Sequence, residues 1–177
     1  RRIITCIEDL RGLAQKRVPR MFYDYADSGS WTESTYRANN SDFAKIKFRQ
    51  RVAVNLETRS LASTMVGQHV SMPVALSPTG LTGMQHADGE ILAAQAAEKF
   101  GVPFTLSTMS ICSIEDVAAN TTKPFWFQLY VMKDREFINR LIDRAKAAKC
   151  GALVLTLDLQ VLGQRVLHAA GLRVVIP

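Results

Sequence analysis

The sequence predicts an α/β fold built on a parallel sheet, and three observations carry that prediction. Apolar runs begin near residues 73, 103, 125 and 152. Helical stretches with capping signals or an amphipathic pattern lie between them. The starts are 22 to 30 residues apart, the spacing of successive βα units.

The first 70 residues lack this repetition. Residues 6 to 17 put Ile7, Leu10, Leu13 and Ala14 on one helical face, and Pro19 follows the stop. Met21 to Ala26 continues as a short helix or turn into the loop signal Asp27-Ser28-Gly29-Ser30. Residues 31 to 45 are polar and helical in pattern. Phe48 to Leu56 and Val66 to Val70 suggest short irregular strands. Residues 1–70 are therefore expected to form a cap segment.

The regular part starts with Pro73-Val74-Ala75-Leu76-Ser77 as a short strand. A loop holding Gly80 and Gly83 leads to a helix from Asp88 to Phe100, which Gly101 ends. Pro103 to Ser107 is the next strand. Ser113-Ile114-Glu115-Asp116 resembles a capping box and opens a helix to Ala119. The run Pro124 to Tyr130 is rich in aromatics and predicts a buried strand. Lys133 to Lys149 follows with Phe137, Leu141, Ile142 and Ala145 at three- and four-residue steps, an amphipathic helix. Ala152 to Asp158 is the fourth strand.

Polar residues at the ends of these runs are the functional candidates. Gln128 and Tyr130 are two apart and share one face of their strand; Thr156 and Asp158 do the same on theirs. All four lie at C-terminal strand ends, the edge that carries ligands and chemistry in parallel α/β folds. The plainer alternative is that polar residues simply close a strand where it meets solvent, but two matched pairs favour the functional reading.

Composition narrows the class. With 47% hydrophobic residues in 177, the chain is globular. The net charge is +6, with Arg1, Arg2, Arg11, Lys16, Arg17 and Arg20 early. That excess would suit an acidic surface such as anionic lipid, and a solvated helix face is the favoured alternative. No basic run interleaved with aromatics points to nucleic acid. Cys6, Cys112 and Cys150 form no CxxC pair, so neither a metal site nor a disulfide framework is expected, and the thiols fit a reducing cytoplasm. No apolar run reaches the roughly 20 residues of a spanning helix. Neither GxGxxG nor a Walker A loop is present. A (β/α)₈ barrel is the better reading, and four strands of the eight required are present.

Several short motifs then point to a family. They are Tyr23-Asp24-Tyr25, Phe48-Arg49, Ser71-Met72-Pro73, Ser77-Pro78-Thr79, Asp88-Gly89-Glu90, Leu106-Ser107-Thr108, Phe127-Gln128-Leu129-Tyr130, Thr156-Leu157-Asp158 and Gly163-Gln164-Arg165. In order and spacing the chain resembles the FMN-dependent α-hydroxy-acid oxidases and dehydrogenases. Pro78-Thr79-Gly80, and Met109 where plant glycolate oxidases carry Trp, resemble the bacterial L-lactate dehydrogenase branch. The resemblance covers residue 8 to Arg165. It implies the N-terminal cap and roughly the first four βα units of the barrel over 71–165, and a divergent tail over 166–177 that a truncation or a frame change would explain.

The resemblance also implies roles. FMN would be the cofactor and a small L-2-hydroxy acid, with L-lactate the first expectation, the substrate. Pro78, Thr79 and Gly80 would lie beside the flavin ring, and Ser107, Gln128 and Thr156 would hydrogen-bond its edge and ribityl chain. Tyr25 would bind the substrate carboxylate. Tyr130 would touch the reacting oxygen, Asp158 would orient a histidine base, and Arg165 would add positive charge at the mouth. The chemistry is hydride transfer to the flavin while a base takes the hydroxyl proton. None of His69, His86 and His168 matches the family's base. Oxygen, quinone and cytochrome are all compatible as electron acceptors. The resemblance further implies a homo-oligomer at full length and peripheral contact with the inner membrane. Two alternatives stand beside it: a catalytically inactive fragment, and another flavin- or phosphate-binding barrel enzyme such as a type 2 isopentenyl diphosphate isomerase.

Overall fold

The computed structural model describes residues 4–159 and 163, together with the backbone of 165–169 and 172–176. The chain forms two compact units, one of residues 1–58 with 159–177 and one of residues 59–158.

The first unit contains helices α1 (Ile7–Arg17), α2 (Arg20–Ala26) and α3 (Ser34–Ser41), and a 3₁₀ turn at Phe43–Lys45. Glu8 and Asp9 at the start of α1, and Lys16 and Arg17 at its end, complement the helix dipole. Pro19 caps α2, where its missing N–H costs nothing. A polar cluster ties the helices together. Asp27 accepts hydrogen bonds from Arg11 (Nε, 2.9 Å, and Nη2, 3.0 Å), Tyr23 (2.9 Å) and Tyr36 (3.1 Å). Burial raises the Asp27 pKa, but these donors outweigh it and hold the carboxyl below its usual range. Residues 48–56, expected as an irregular strand, form none. The tail forms an antiparallel hairpin, β6 (Arg165–Ala169) with β7 (Leu172–Ile176).

The second unit begins with the hairpin β1 (Ser63–Met65) and β2 (Gln68–Val70). Its two-residue turn uses positive φ at both Val66 and Gly67, as a type I′ turn requires. Trp126 Nε1 donates to Gln68 Oε1 at 3.0 Å, so this hairpin belongs with the sheet and the unit boundary lies before residue 70. Next come α4 (Thr82–Gln85), α5 (Gly89–Phe100), β3 (Thr105–Leu106), α6 (Ile114–Ala119), β4 (Trp126–Tyr130), α7 (Arg135–Ala147) and β5 (Ala152–Thr156). The sheet order is β3-β4-β5, all parallel.

The expected strand at 73–77 is reduced to a single parallel bridge between Leu76 and Phe104. Pro73 and Pro78 flank it without N–H groups to donate. Two hydrogen bonds hold it, Leu76 N–H to Pro103 O at 2.9 Å and Thr105 N–H to Leu76 O at 3.1 Å. It still occupies the first position of four parallel ones.

The helices obey their sequence signals. Ser113 Oγ accepts from Asp116 N–H at 3.0 Å, and Asp116 Oδ2 accepts from Ser113 N–H at 3.1 Å, a complete capping box on α6. Asp134 caps α7 by accepting from Phe137 N–H at 3.0 Å. Gly101 ends α5 at φ +83°. Arg144 on α7 grips Glu115 on α6 through two hydrogen bonds of 2.8 and 2.6 Å. The core packs Leu106, Phe127 and Leu129 from the sheet against Ala94 and Ala97 of α5, Val117 of α6, and Ile138, Leu141 and Ala145 of α7. Phe127 and Leu129 thus point to the helices, so Trp126, Gln128 and Tyr130 point to the opposite face.

β5 forms as the fourth strand and is the last of the sheet. Leu153 and Leu155 pair in register with Phe127 and Leu129, on the helix side of the sheet. Each is nevertheless 49% exposed, because no described helix covers this edge.

Candidate functional site

At the C-terminal ends of β3, β4 and β5, four sequence-selected residues meet. Gln128 is 1% exposed and spans the three strands. Its Oε1 accepts from Ser107 Oγ at 3.2 Å and from Thr108 N–H at 3.1 Å. Its Nε2 donates to Thr156 Oγ1 at 2.8 Å. The parallel register makes this possible: Tyr130 lies opposite Thr156 and Gln128 opposite Val154, which directs the Gln128 amide toward the strand ends. Gly80 joins the cluster from the preceding loop. A Cβ added there would lie 3.2 Å from Met109 Cβ and 3.7 Å from Ser107 Oγ, so glycine allows that backbone to approach closely.

Thr108 is a member that sequence reading missed. Its Oγ1 donates to Gln128 O at 2.5 Å and accepts from Tyr130 N–H at 3.4 Å. It fastens the end of β3 to the part of β4 that carries both Gln128 and Tyr130. Its sequence signal was its place in the motif Leu106-Ser107-Thr108, which by itself assigns it no role.

The other candidates fall as follows. Tyr130 is half-buried on the same face as Gln128. Pro78 is half-buried and Thr79 exposed, and Thr79 O accepts from Thr82 Oγ1 at 3.1 Å. Asp158 lies two residues beyond β5, exposed. Tyr25 sits on α2 in the first unit, 40% exposed. The Arg165 side chain lies outside the described residues, as does that of His168. His69 is on β2, and His86 Nδ1 lies 2.7 Å from Ala87 O.

A cleft of about 270 Å³ opens at the other end of the sheet, lined by Gln68, His69, Glu98, Phe104, Lys123 and Phe125. It faces the N-terminal strand ends, away from Gln128. The Gln128 end presents an amide, hydroxyls and the exposed backbone of Thr79 and Gly80, groups of the kind that pair with the donors and acceptors along a flavin ring edge. By their chemistry these groups suit the edge of a flavin ring.

Residues 14–172 match the family model described as FMN-dependent dehydrogenase. The chain is 48% identical over 163 residues to the L-lactate dehydrogenase of Pseudomonas putida (strain GB-1), covering 92% of this chain and 43% of that protein. It is 47% identical over the same length to the L-lactate dehydrogenase of Ectopseudomonas mendocina (strain ymp). Among solved structures it is similar to a soluble mutant of the membrane-associated (S)-mandelate dehydrogenase from Pseudomonas putida. There the TM-score is 0.84 and the identity 41%, over 90% of this chain and 45% of that one. A monotopic membrane (S)-mandelate dehydrogenase gives a TM-score of 0.87 at 39% identity, over 93% of this chain and 44% of that one. The chain thus spans less than half the length of the relatives it matches. Its fold is an N-terminal segment followed by the first four βα units of a (β/α)₈ barrel, as the sequence predicts.

Proposed function

We propose a function from one premise: the chain belongs to the FMN-dependent dehydrogenase family. The protein it represents oxidises a small L-2-hydroxy acid, L-lactate to pyruvate, with FMN. The observation that carries this is the Ser107–Gln128–Thr156 hydrogen-bonded row, with Tyr130 on the same face one strand turn further on. FMN, when bound, would supply the acceptor for the hydride equivalent leaving the substrate carbon. Ser107, Gln128 and Thr156 would hold the ring edge, and Pro78, Thr79 and Gly80 would lie against the ring. Tyr130 donates its hydroxyl to the substrate oxygen. By the family resemblance, Tyr25 would bind the substrate carboxylate and Arg165 would add positive charge at the mouth. Asp158 orients a histidine base contributed by sequence beyond this chain.

A second reading applies to the 177 residues alone. Asp158 is exposed and has no hydrogen-bond or ion-pair partner among the described residues, so it orients no described histidine. By itself the chain would be a catalytically inactive fragment and at best a weak flavin binder. No described helix is long and apolar enough to cross a membrane. Membrane contact, as proposed from the membrane-associated neighbour, would be peripheral. A homo-oligomer at full length is proposed as well.

The test joins residues 1–165 to the C-terminal remainder of the Pseudomonas putida L-lactate dehydrogenase. The expected result is reduction of bound FMN by L-lactate and not by D-lactate. Tyr130→Phe should lower kcat by about 10- to 100-fold with little change in KM, because its hydroxyl acts where charge changes in the transition state. No reduction by L-lactate in the folded chimera, or an unchanged kcat in Tyr130→Phe, would contradict the proposal.

A further inference from the structure

The loop after Leu76 and the loop after β3 are pinned together by a buried carboxylate. Glu90, in the first turn of α5, is 1% exposed. Its Oε1 accepts from the backbone N–H of Gly83 and from that of Ile111, both at 3.0 Å. Close by, Leu81 N–H donates to Met109 O at 2.9 Å. An added Cβ at Gly83 would lie 2.6 Å from Ile111 Cβ, so the loops touch with no room for a methyl group. Glu90 Oε2 is buried with no hydrogen-bond partner of standard geometry among the described residues, and the Cys112 thiol is its polar neighbour. Burial works to raise the carboxyl's pKa, but the N–H groups of Ile111, Glu90 itself and Gly83 hold it below its usual range. Burial, and then the neighbouring Glu90, push the Cys112 thiol up, so it stays protonated beside the carboxylate.

A buried carboxylate is a costly way to fill space. The sheet explains the need. The first strand position is held by only two backbone hydrogen bonds, so sheet pairing does little to fix the loop that follows it. That loop carries Pro78, Thr79 and Gly80; the other carries Ser107 and Met109.

We propose that Glu90 is a positioning residue, clamping these two loops at the spacing at which they receive the flavin ring. The role rests on the flavin reading of this end of the sheet. Glu90 touches neither substrate nor cofactor and acts through the Gly83 and Ile111 amides.

The experiment measures two quantities on the dilute 177-residue chain and its variants. One is amide hydrogen exchange at Gly83 and Ile111. The other is FMN affinity from quenching of tryptophan emission. In Glu90→Ala both amides should exchange about 10- to 100-fold faster, and FMN affinity should fall about tenfold or more. Glu90→Gln keeps an acceptor oxygen and should restore both to within about threefold. Glu90→Ala also leaves a cavity, so Gly83→Ala is the second probe. It keeps the carboxylate, suits the helical α4 backbone, and should weaken FMN binding by forcing the loops apart.

Unchanged exchange at Gly83 and Ile111 in Glu90→Ala would overturn the clamp. Freed amides with unaltered FMN affinity would overturn the positioning role. A wild-type chain with protected amides and no response to FMN would sink the flavin reading and the role with it, by a signature distinct from loss of the clamp.

Discussion

Gln128→Met is expected to lower the unfolding free energy by about 2–4 kcal/mol and to remove FMN binding. Methionine matches the volume of the glutamine, so the core keeps its packing. It cannot accept from Ser107 Oγ and Thr108 N–H, or donate to Thr156 Oγ1. Ser107 is buried, so its hydroxyl is left without solvent to replace the lost partner. Leaving a buried polar group unpaired costs about 1–3 kcal/mol, and part of that is recovered because Ser107 Oγ still accepts from Met109 N–H at 3.1 Å. Urea unfolding followed by circular dichroism gives the stability, and tryptophan quenching gives the FMN affinity. A stability change under about 0.5 kcal/mol would show that the row is held from elsewhere.

The second large effect concerns the sheet edges. The chain is expected to self-associate at tens of micromolar. Leu153 and Leu155 are each 49% exposed on β5, and Leu157 beyond it is 72% exposed. At the other edge Val74 and Leu76 are also exposed. The run 152–157 carries no Lys and no Pro to discourage a further strand from pairing. In a closed barrel the last strand pairs with the first, and no edge remains. Leu155→Lys places a charge on the exposed edge and should shift the association at least tenfold to higher concentration, on the order of 1.4 kcal/mol of lost contact. Light scattering after size-exclusion chromatography decides the matter. A monodisperse monomer at those concentrations, with cooperative thermal unfolding, would mean that the edges are sealed.

Much of this molecule was legible in its sequence because the relevant signals are local. The Ser113 capping box, Gly101 at the end of α5 and the stripe on α7 each depend on residues within two turns. Strand alternation put Gln128 and Tyr130 on one face before any partner was known, and the register set Thr156 beside them. The strand at 73–77 was read too strongly. Its apolar pattern is real, but the flanking prolines leave little to pair. The apolar run at 152–157 is the last strand of the sheet, and Leu153, Leu155 and Leu157 are exposed there, as expected where a closed barrel would continue. Glu90 and Asp27 were invisible for a different reason. Glu90 bonds residues 7 and 21 positions away, and Arg11 reaches Asp27 across 16. A lone acidic residue at a helix start or in a turn reads as a cap or a solvated side chain until the fold brings its donors to it.

The central claim is that FMN seats at the Gln128 end of the sheet. The most direct measurement is hydrogen exchange of the dilute chain with and without saturating FMN, read residue by residue. The account predicts slower exchange at Gly80, Thr108 and Met109, with the amides around the cleft, such as His69 and Val102, unchanged. Protection confined to that cleft, or no protection anywhere in the folded chain, would contradict it.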